Sequence, residues 1–259
     1  MLAYQHAYHA GSLADVHKHS ILCCVLDYLT QKNKPLSYIE THAGRGLYDL
    51  NSQESLKTGE AKSGILSLLA QKKIPDTHPY FKLQALVRRD CGESAYPGSP
   101  LIACKMLRKT DHIHLAEMHP QEYSALCKNL KSYRTSLYHE DGFKVANALV
   151  PPMPRRGLIL IDPSYEIKSD YDKAADFIIK MHKKWPVGVV LLWYPILDNP
   201  LHHEMMDTLT QANLSKTMRH EVIFSKKADN NHRLCGSGMF ILNAPFGLEE
   251  NAKETEKFL

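Results

Sequence analysis

The feature that most constrains this chain is an apolar run, residues 158–161, that leads directly into Asp162-Pro163-Ser164-Tyr165. A short aliphatic run bounded by turn-forming residues predicts a buried strand. In sheets whose strands alternate with helices, ligands bind at the carboxyl ends of the strands. We therefore expect the Asp162 carboxylate, the Pro163 carbonyl and the Tyr165 ring to be presented together at a binding site.

Helices and strands alternate along the rest of the chain. We predict helices at about 14–31, 53–73, 78–91, 97–108, 120–132, 171–184 and 200–213. Strands are predicted at about 37–40, 112–117, 136–142, 158–162 and 187–194, followed by a pair at 221–225 and 239–243. This order predicts an α/β fold with a mostly parallel, doubly wound sheet.

The composition suits one soluble domain over residues 1–259, since 44% of the residues are hydrophobic and 23% are charged. No apolar run approaches the ~20 residues that a membrane-spanning helix needs, and the N-terminus lacks the layout of a signal peptide. Six cysteines without a C-x-x-C pair indicate reduced thiols, so we expect a cytoplasmic protein without membrane contact. The net charge of +4 permits a nucleic-acid partner without demonstrating one.

Fifteen histidines, several of them in close pairs, invite a metal-site interpretation. Zinc sites usually combine such pairs with cysteines or with a His-Glu-x-x-His helix, and neither pattern is present. We therefore expect no metal site.

A glycine turn, Ala43-Gly44-Arg45-Gly46, directly follows the first predicted strand. Small residues there let the backbone approach a ligand closely, although many such turns merely connect a strand to a helix. A nucleoside-binding sheet should also place an acid at the end of the next strand, where it accepts hydrogen bonds from the ribose hydroxyls. Glu117 ends that strand.

Glu117 lies much further along the chain than the roughly 20 to 30 residues expected after such a glycine turn. Two helical stretches rich in Lys and Gln occupy the excess length, and removing them restores the usual spacing. We therefore interpret residues 52–94 as a helical insertion within the domain.

Asp141-Gly142-Phe143 closes the following strand and supplies a third acid at successive strand ends. Asp141 can accept a hydrogen bond from an adenine amino group, and Phe143 can cover the ring. An ordinary Asp-Gly turn is the alternative interpretation. A single G-x-G without a phosphate-binding loop suits a nucleoside without a pyrophosphate, so S-adenosylmethionine is the favoured cofactor.

The Asp-Pro-Ser-Tyr string suits methylation of an exocyclic amine on a base. That amine is a poor nucleophile because its lone pair is delocalised into the ring. Hydrogen bonds from the amine to the Asp162 carboxylate and the Pro163 carbonyl draw the nitrogen toward tetrahedral geometry. Tyr165 would stack on a base that has left its helix.

With these motifs the chain resembles the RlmJ-type 23S rRNA adenine-N6 methyltransferases of bacteria over nearly its whole length. The shared strings are Tyr4-x-His6-x-x-His9-Ala10-Gly11, Ala14-Asp15-Val16-x-Lys18-His19, Thr41-His42-Ala43-Gly44-x-Gly46, Tyr96-Pro97-Gly98-Ser99-Pro100, Glu117-x-His119-Pro120, Asp141-Gly142-Phe143, residues 155–163, Leu192-Trp193-Tyr194-Pro195 and Gly236-Ser237-Gly238-Met239. The resemblance implies a Rossmann-like class I methyltransferase fold with a small helical insertion. It also implies a target adenine at position 2030 of 23S rRNA in conventional numbering.

The resemblance further implies roles for individual residues. Asp162 would be catalytic, together with Pro163 and Tyr165 of the same string. Tyr4, His6 and Lys18 would lie on the substrate side, with Lys18 able to meet a phosphate, although the N-terminal histidines also fit an ordinary helix entry. The cofactor would be held by His19, His42, Gly44, Ser99, Glu117, Asp141, Gly142 and Asp162.

Two departures from the family pattern stand out. Ser164 replaces the second proline of Asp-Pro-Pro-Tyr, which restores a backbone N–H and loosens the preceding residue. The chain also ends soon after Asn243-Ala244-Pro245, earlier than the resemblance implies.

Alternatives in two classes remain beside the rRNA enzyme: a DNA adenine or cytosine amino-methyltransferase, and a non-catalytic binding module that has kept the fold. For the leading interpretation we expect a monomer that acts on 23S rRNA before or during ribosome assembly.

Overall fold

The computed structural model describes residues 4–224 and 234–259. Within them, one seven-stranded sheet has the order β5-β4-β1-β6-β7-β9-β8. Its strands are β1 (Ser37–Glu40), β4 (His112–Ala116), β5 (Ser136–Tyr138), β6 (Gly157–Ile161), β7 (Val189–Leu197), β8 (Thr217–Ile223) and β9 (Leu234–Leu242). A separate antiparallel pair joins β2 (Leu47–Asp49) to β3 (Ala95–Pro97).

The sheet is parallel except for β9. Strand β1 lies between β4 and β6, β6 pairs with β7, and all three pairings are parallel. Strand β9 runs antiparallel to both β7 and β8. The predicted mostly parallel α/β sheet is confirmed, while Ser225, the last residue of one predicted strand, lies outside the described residues.

Helices cover both faces of the sheet. They are α1 (Leu13–Thr30), α2 (Gln53–Thr58), α3 (Glu60–Ser63), α4 (Ile65–Ala70), α5 (Pro79–Cys91), α6 (Ser99–Met106), α7 (Pro120–Asn129), α8 (Gly142–Leu149), α9 (Ser169–Lys184), α10 (His202–Gln211) and α11 (Leu248–Glu256), with a 3-10 turn at His6–Tyr8. None of the described helices is both long enough and apolar enough to cross a membrane.

Strand β6 shows why the sheet is stable. Because successive side chains of a strand point to opposite faces, Leu158 and Leu160 pack in the cluster around α1, whereas Ile159 and Ile161 pack in the cluster around α9. All four are fully buried. Each contributes about 1.5–3 kcal/mol of hydrophobic stabilisation, which fixes the strand end that carries Asp162.

The segment between β2 and β3 contains α2, α3, α4 and α5. Its apolar residues Ile65, Leu68 and Leu83 join the same core cluster as the α1 residue Leu22. The stretch predicted as continuous at about 53–73 is broken at Gly64, where a Cβ would lie 2.2 Å from the Gly11 carbonyl oxygen. The assignment of residues 52–94 as an insertion within the domain stays a prediction.

Four of the described elements were not predicted from the sequence: the strands β2 and β3 and the helices α8 and α11. Strands β2 and β3 have three residues each, too few to show a period. Helix α8 begins inside the string that was interpreted as an Asp-Gly turn. Helix α11 is rich in charge, but Leu248 and Ala252 are buried on one side at helical spacing.

Candidate active site

A cavity of about 1170 Å³ opens at the carboxyl ends of β1, β4, β5, β6 and β7. Every residue that the sequence analysis placed in the site lines it. These residues are Tyr4, His6, Lys18, His19, His42, Gly44, Ser99, Glu117, Asp141, Gly142, Asp162, Pro163 and Tyr165. The structure therefore brings together motifs that are spread over most of the chain, while the role of each residue stays a prediction.

Glu117, just beyond β4, is oriented by backbone groups. Its carboxylate accepts hydrogen bonds of 2.7 Å from the Gly44 N–H and 2.7 Å from the His119 N–H. Burial raises the pKa of Glu117 above its ordinary value. Each oxygen retains a lone pair for a further donor, so the group is suited to accept hydrogen bonds from a pair of hydroxyls.

Asp141 is the N-cap of α8, and its Oδ1 accepts a hydrogen bond of 2.9 Å from the Lys144 N–H. Only glycine fits at position 142, because α8 approaches the end of β1 closely. A Cβ there would lie 1.8 Å from the Thr41 carbonyl oxygen. The Phe143 ring lies edge-on to His42, with ring centroids 5.2 Å apart. A carboxylate beside aromatic rings is the environment that an adenine requires.

Ser99 is hydrogen-bonded to Glu40, a residue for which the sequence predicted no role. Both the Ser99 hydroxyl and the Tyr38 hydroxyl, the latter at 2.8 Å, donate hydrogen bonds to the Glu40 carboxyl group. Burial raises the pKa of Glu40 to about 8. The signal for Glu40 was present, since it is the acid that ends β1 immediately before the glycine turn.

Helix α1 directs three successive polar side chains toward three different elements, since each residue turns about 100° around the helix axis. His17 reaches Ser237 of β9, Lys18 reaches Asp162 beyond β6, and His19 places its Nδ1 3.0 Å from the Tyr96 hydroxyl of β3. Burial lowers the pKa of His19 to about 3, so its ring is neutral. The helix thus organises one side of the cavity.

Lys18 lies between two carboxylates. Its Nζ is 2.6 Å from Asp162 Oδ2 and 3.1 Å from Asp15 Oδ1, and the residue is 4% exposed. Burial alone would lower the pKa of Lys18, but Asp162 and Asp15 outweigh burial and raise it. The structure therefore differs from the expectation that Lys18 meets a phosphate, because its ammonium is buried and already paired.

Asp15, also without a role in the sequence analysis, links the N-terminal segment to the same ion pair. Its Oδ2 lies 2.9 Å from His6 Nε2, and His6 Nδ1 lies 2.8 Å from the Tyr4 hydroxyl. Burial would raise the pKa of Asp15, but His6 and Lys18 lower it well below its usual range. The sequence signal was an acid three residues before a lysine on one helix face.

Tyr165 is held as part of the framework. Its hydroxyl donates a hydrogen bond of 2.7 Å to the Trp193 carbonyl oxygen, and its ring centroid lies 4.4 Å from that of Tyr171. The residue is 8% exposed and has a φ of 54°, a left-handed conformation that costs ~1–3 kcal/mol and concentrates at functional sites. Stacking of Tyr165 on a base stays a prediction.

A family model described as "Ribosomal RNA large subunit methyltransferase D, RlmJ" matches residues 33–259. The chain belongs to this family. It is 36% identical over 252 residues to "Ribosomal RNA large subunit methyltransferase J" of Escherichia coli, covering 96% of this chain and 90% of the relative. It is 37% identical over 262 residues to the protein of the same name from Haemophilus influenzae, covering 100% and 93%.

A solved structure supports the relationship. The crystal structure of a Legionella pneumophila protein aligns with a TM-score of 0.86 at 35% identity, covering 96% of this chain and 92% of the other. The recognition of the RlmJ family from the sequence is therefore confirmed, and so is the Rossmann-like class I methyltransferase fold.

S-adenosylmethionine is the methyl donor of this family, and the cavity suits it. Glu117, Asp141, Phe143 and Asp162 all line this cavity, while the contacts of Glu117 with ribose hydroxyls and of Asp141 and Phe143 with adenine stay predictions. Within residues 4–224 and 234–259, no group of three or more His, Cys, Asp or Glu side chains is arranged to hold a metal ion.

Proposed function

We propose that this chain methylates N6 of an adenine in 23S rRNA, at position 2030 in conventional numbering, with S-adenosylmethionine as donor. The observation that carries the proposal is the position of Asp162, at the end of β6 and in the cavity that also contains Glu117 and Asp141. The relatives' name specifies a large-subunit ribosomal RNA methyltransferase. Asp162-Pro163 supports an exocyclic amine as the acceptor group.

Asp162 and Pro163 prepare the nucleophile. The cofactor supplies a methyl group on a positively charged sulfur, which is a good leaving group. Hydrogen bonds from the N6 amine to Asp162 Oδ1 and to the Pro163 carbonyl oxygen localise the nitrogen lone pair. The N–C bond then forms as the S–C bond breaks, and the cationic amine releases a proton toward Asp162 or water. Such catalysis depends mainly on positioning and electrostatics.

Lys18 sets the orientation of the Asp162 carboxylate in this mechanism. Because Lys18 Nζ occupies Asp162 Oδ2, Oδ1 is the oxygen left for the amine. Asp15 holds Lys18 from the other side, and His6 and Tyr4 extend the same polar chain along the cavity wall. Tyr4 and His6 therefore act on the substrate side, and Lys18 acts through Asp162.

We further infer that the protein acts as a monomer in the cytoplasm, on 23S rRNA that is not yet buried in an assembled subunit. Sequence-specific enzymes of this kind act on bases that are unpaired or extruded, which supports a substrate that still exposes the target adenine.

The polymer that accepts the methyl group tests the proposal. Purified protein is incubated with labelled S-adenosylmethionine and either protein-free 23S rRNA lacking the modification or duplex DNA, and the digested nucleosides are analysed by mass spectrometry. We expect N6-methyladenosine from the rRNA, with Asp162→Asn as the inactive control, and no product from DNA. Methylated DNA would favour a DNA amino-methyltransferase, and cofactor binding without transfer to either polymer would favour a non-catalytic module.

A further inference from the structure

One face of β7 forms the cavity wall beside Asp162. Ile161 of β6 pairs with Leu192 of β7, so Asp162 and Trp193 come next on neighbouring strands. Trp193, Pro195 and Leu197, which alternate along β7, all line the cavity. An apolar strip that starts with an indole ring therefore leads outward from the Asp162 carboxylate.

A series of hydrogen-bonded polar side chains fixes the plane of the Trp193 ring. Trp193 Nε1 donates a hydrogen bond of 2.8 Å to Ser237 Oγ, which lies 2.8 Å from His17 Nδ1. His17 Nε2 lies 2.9 Å from His220 Nδ1. The four side chains come from β7, β9, α1 and β8, so the chain of contacts crosses the sheet and its covering helix.

Donors and acceptors alternate along this chain as far as His220 Nδ1, and the buried His220 Nε2 lies 3.9 Å from the Glu256 carboxylate, beyond hydrogen-bond distance. Burial lowers the pKa of His17 to about 3, so its ring is neutral and carries a single N–H. Trp193 then donates to Ser237, the Ser237 hydroxyl donates to His17 Nδ1, and His17 Nε2–H donates to His220 Nδ1. Ser237 and His17 are fully buried, and burying polar groups is costly unless they are satisfied. The buried Ser237 and His17 side chains thus serve to hold the N–H of the Trp193 indole in place.

Trp193 also lies next to Lys18, which pairs with Asp162, and to Tyr165. Lys18 Nζ lies 5.5 Å from the centroid of the Trp193 ring while it pairs with Asp162. The Trp193 carbonyl oxygen accepts the Tyr165 hydroxyl. Tyr165 is 8% exposed and packs on Tyr171, whereas Trp193 is only half-buried, so Trp193 offers the more accessible ring next to Asp162.

We propose that Trp193 is the stacking surface for the target adenine, and that Ser237, His17 and His220 are positioning residues that fix its plane. The inference deepens the proposed function, on which it rests. Base–aromatic stacking supplies binding without reading hydrogen-bond edges. The indole therefore holds the face of the purine, and Asp162 and the Pro163 carbonyl recognise its amine.

Steady-state methylation of protein-free 23S rRNA tests the stacking role. Trp193→Leu should raise KM for the RNA about tenfold or more while leaving S-adenosylhomocysteine affinity unchanged, which also shows that the variant folds. Trp193→Phe keeps a ring and should recover most of that loss. Ser237→Ala, which releases the indole N–H, should raise KM to an intermediate value. An unchanged KM in Trp193→Leu overturns the proposal.

Tryptophan fluorescence supplies a second measurement that is independent of turnover. The chain has two tryptophans, and Trp185 is 2% exposed with its Nε1 bonded to the Arg155 carbonyl oxygen. With S-adenosylhomocysteine saturating the cofactor site, adenosine monophosphate should quench the emission of the wild type but not of Trp193→Phe. Quenching that persists in Trp193→Phe, or its absence in the wild type, overturns the stacking role. Absence of rRNA methylation by the wild type would instead overturn the proposed function.

Discussion

The two halves of the cavity are built in different ways. In the half that we assign to the cofactor, called the cofactor half, Glu117 accepts hydrogen bonds from the Gly44 and His119 N–H groups, and Asp141 accepts one from the Lys144 N–H. In the target-base half, Asp162 is held by the Lys18 side chain, which in turn pairs with Asp15. Backbone hydrogen bonds therefore orient the acids of the cofactor half, whereas ionic contacts between side chains orient the target-base half.

This difference has a functional consequence. In the cofactor half only substitution by proline would remove a backbone donor, although a side chain at Gly142 would collide with the Thr41 carbonyl oxygen. The target-base half depends on a buried lysine between two carboxylates, and removing one partner of a buried ion pair leaves an uncompensated charge. Substitutions in the two halves should accordingly give separable defects.

The largest expected effect comes from Asp162→Asn, which keeps the shape of the side chain and removes its charge. Because the developing positive charge on N6 loses its carboxylate acceptor, kcat should fall by about 10²–10³-fold. Single-turnover methylation of 23S rRNA at saturating cofactor measures the rate. A variant that retained the wild-type rate would break the assignment of the target-base half.

Lys18→Met tests whether ionic contacts stabilise the target-base half of the cavity. We expect the free energy of unfolding to fall by about 3 kcal/mol, because Asp162 and Asp15 lose their shared cation, and methyl transfer to fall with it. Urea denaturation measures the stability. Lys144→Met is the matched control, since the Lys144–Glu140 pair is exposed to solvent and its loss should leave stability nearly unchanged. Equal losses in the two variants would contradict the account.

Glu117→Ala should weaken S-adenosylmethionine binding by about 10- to 100-fold, because the ribose hydroxyls lose a charged acceptor worth ~1.5–3 kcal/mol. Affinity for 23S rRNA should be unchanged. Calorimetric titration of the cofactor measures the effect, with Glu250→Ala on the exposed side of α11 as the control. Unaltered cofactor affinity would remove Glu117 from the cofactor half.

The smallest expected effect concerns Glu40, whose pKa burial raises from 4.5 to about 8. The folded state keeps a proton on Glu40 that the unfolded state has released. The stability contributed by protonated Glu40 is therefore complete below about pH 4.5 and is lost as pH rises through about 8. Between pH 7 and pH 8 the wild type should lose about 1 kcal/mol of unfolding free energy relative to Glu40→Gln. Parallel pH profiles of the two proteins would contradict the shift.

The residues of the cofactor half could be picked out from the sequence because their signals are local, while their roles stay predictions. A strand followed by an acid or a glycine turn is visible in a few consecutive residues, and Glu40, Glu117, Asp141 and Asp162 all stand at such ends. The order of strands and helices likewise indicated the sheet, since each element is long enough to show a period or is bounded by turn residues.

The target-base half could not be predicted in the same way. Lys18 and Asp162 are far apart in the chain, and nothing near either residue marks the other as its partner. Helix α1 is buried nearly all round, so its polar residues find partners inside the protein, whereas the sequence had placed Lys18 on the substrate side. The hydrogen bond from the Tyr165 hydroxyl to the Trp193 carbonyl oxygen could not be predicted either, because it depends on a neighbouring strand.

The division of the cavity into two halves is tested most directly by one paired measurement on Glu117→Ala and Asp162→Asn. Each variant is assayed for single-turnover methylation of 23S rRNA over a wide range of S-adenosylmethionine concentrations. We predict that Glu117→Ala approaches the wild-type rate once the cofactor saturates, whereas Asp162→Asn remains slow at every concentration. A Glu117→Ala protein that stays slow at saturation, or an Asp162→Asn protein rescued by more cofactor, would contradict the account.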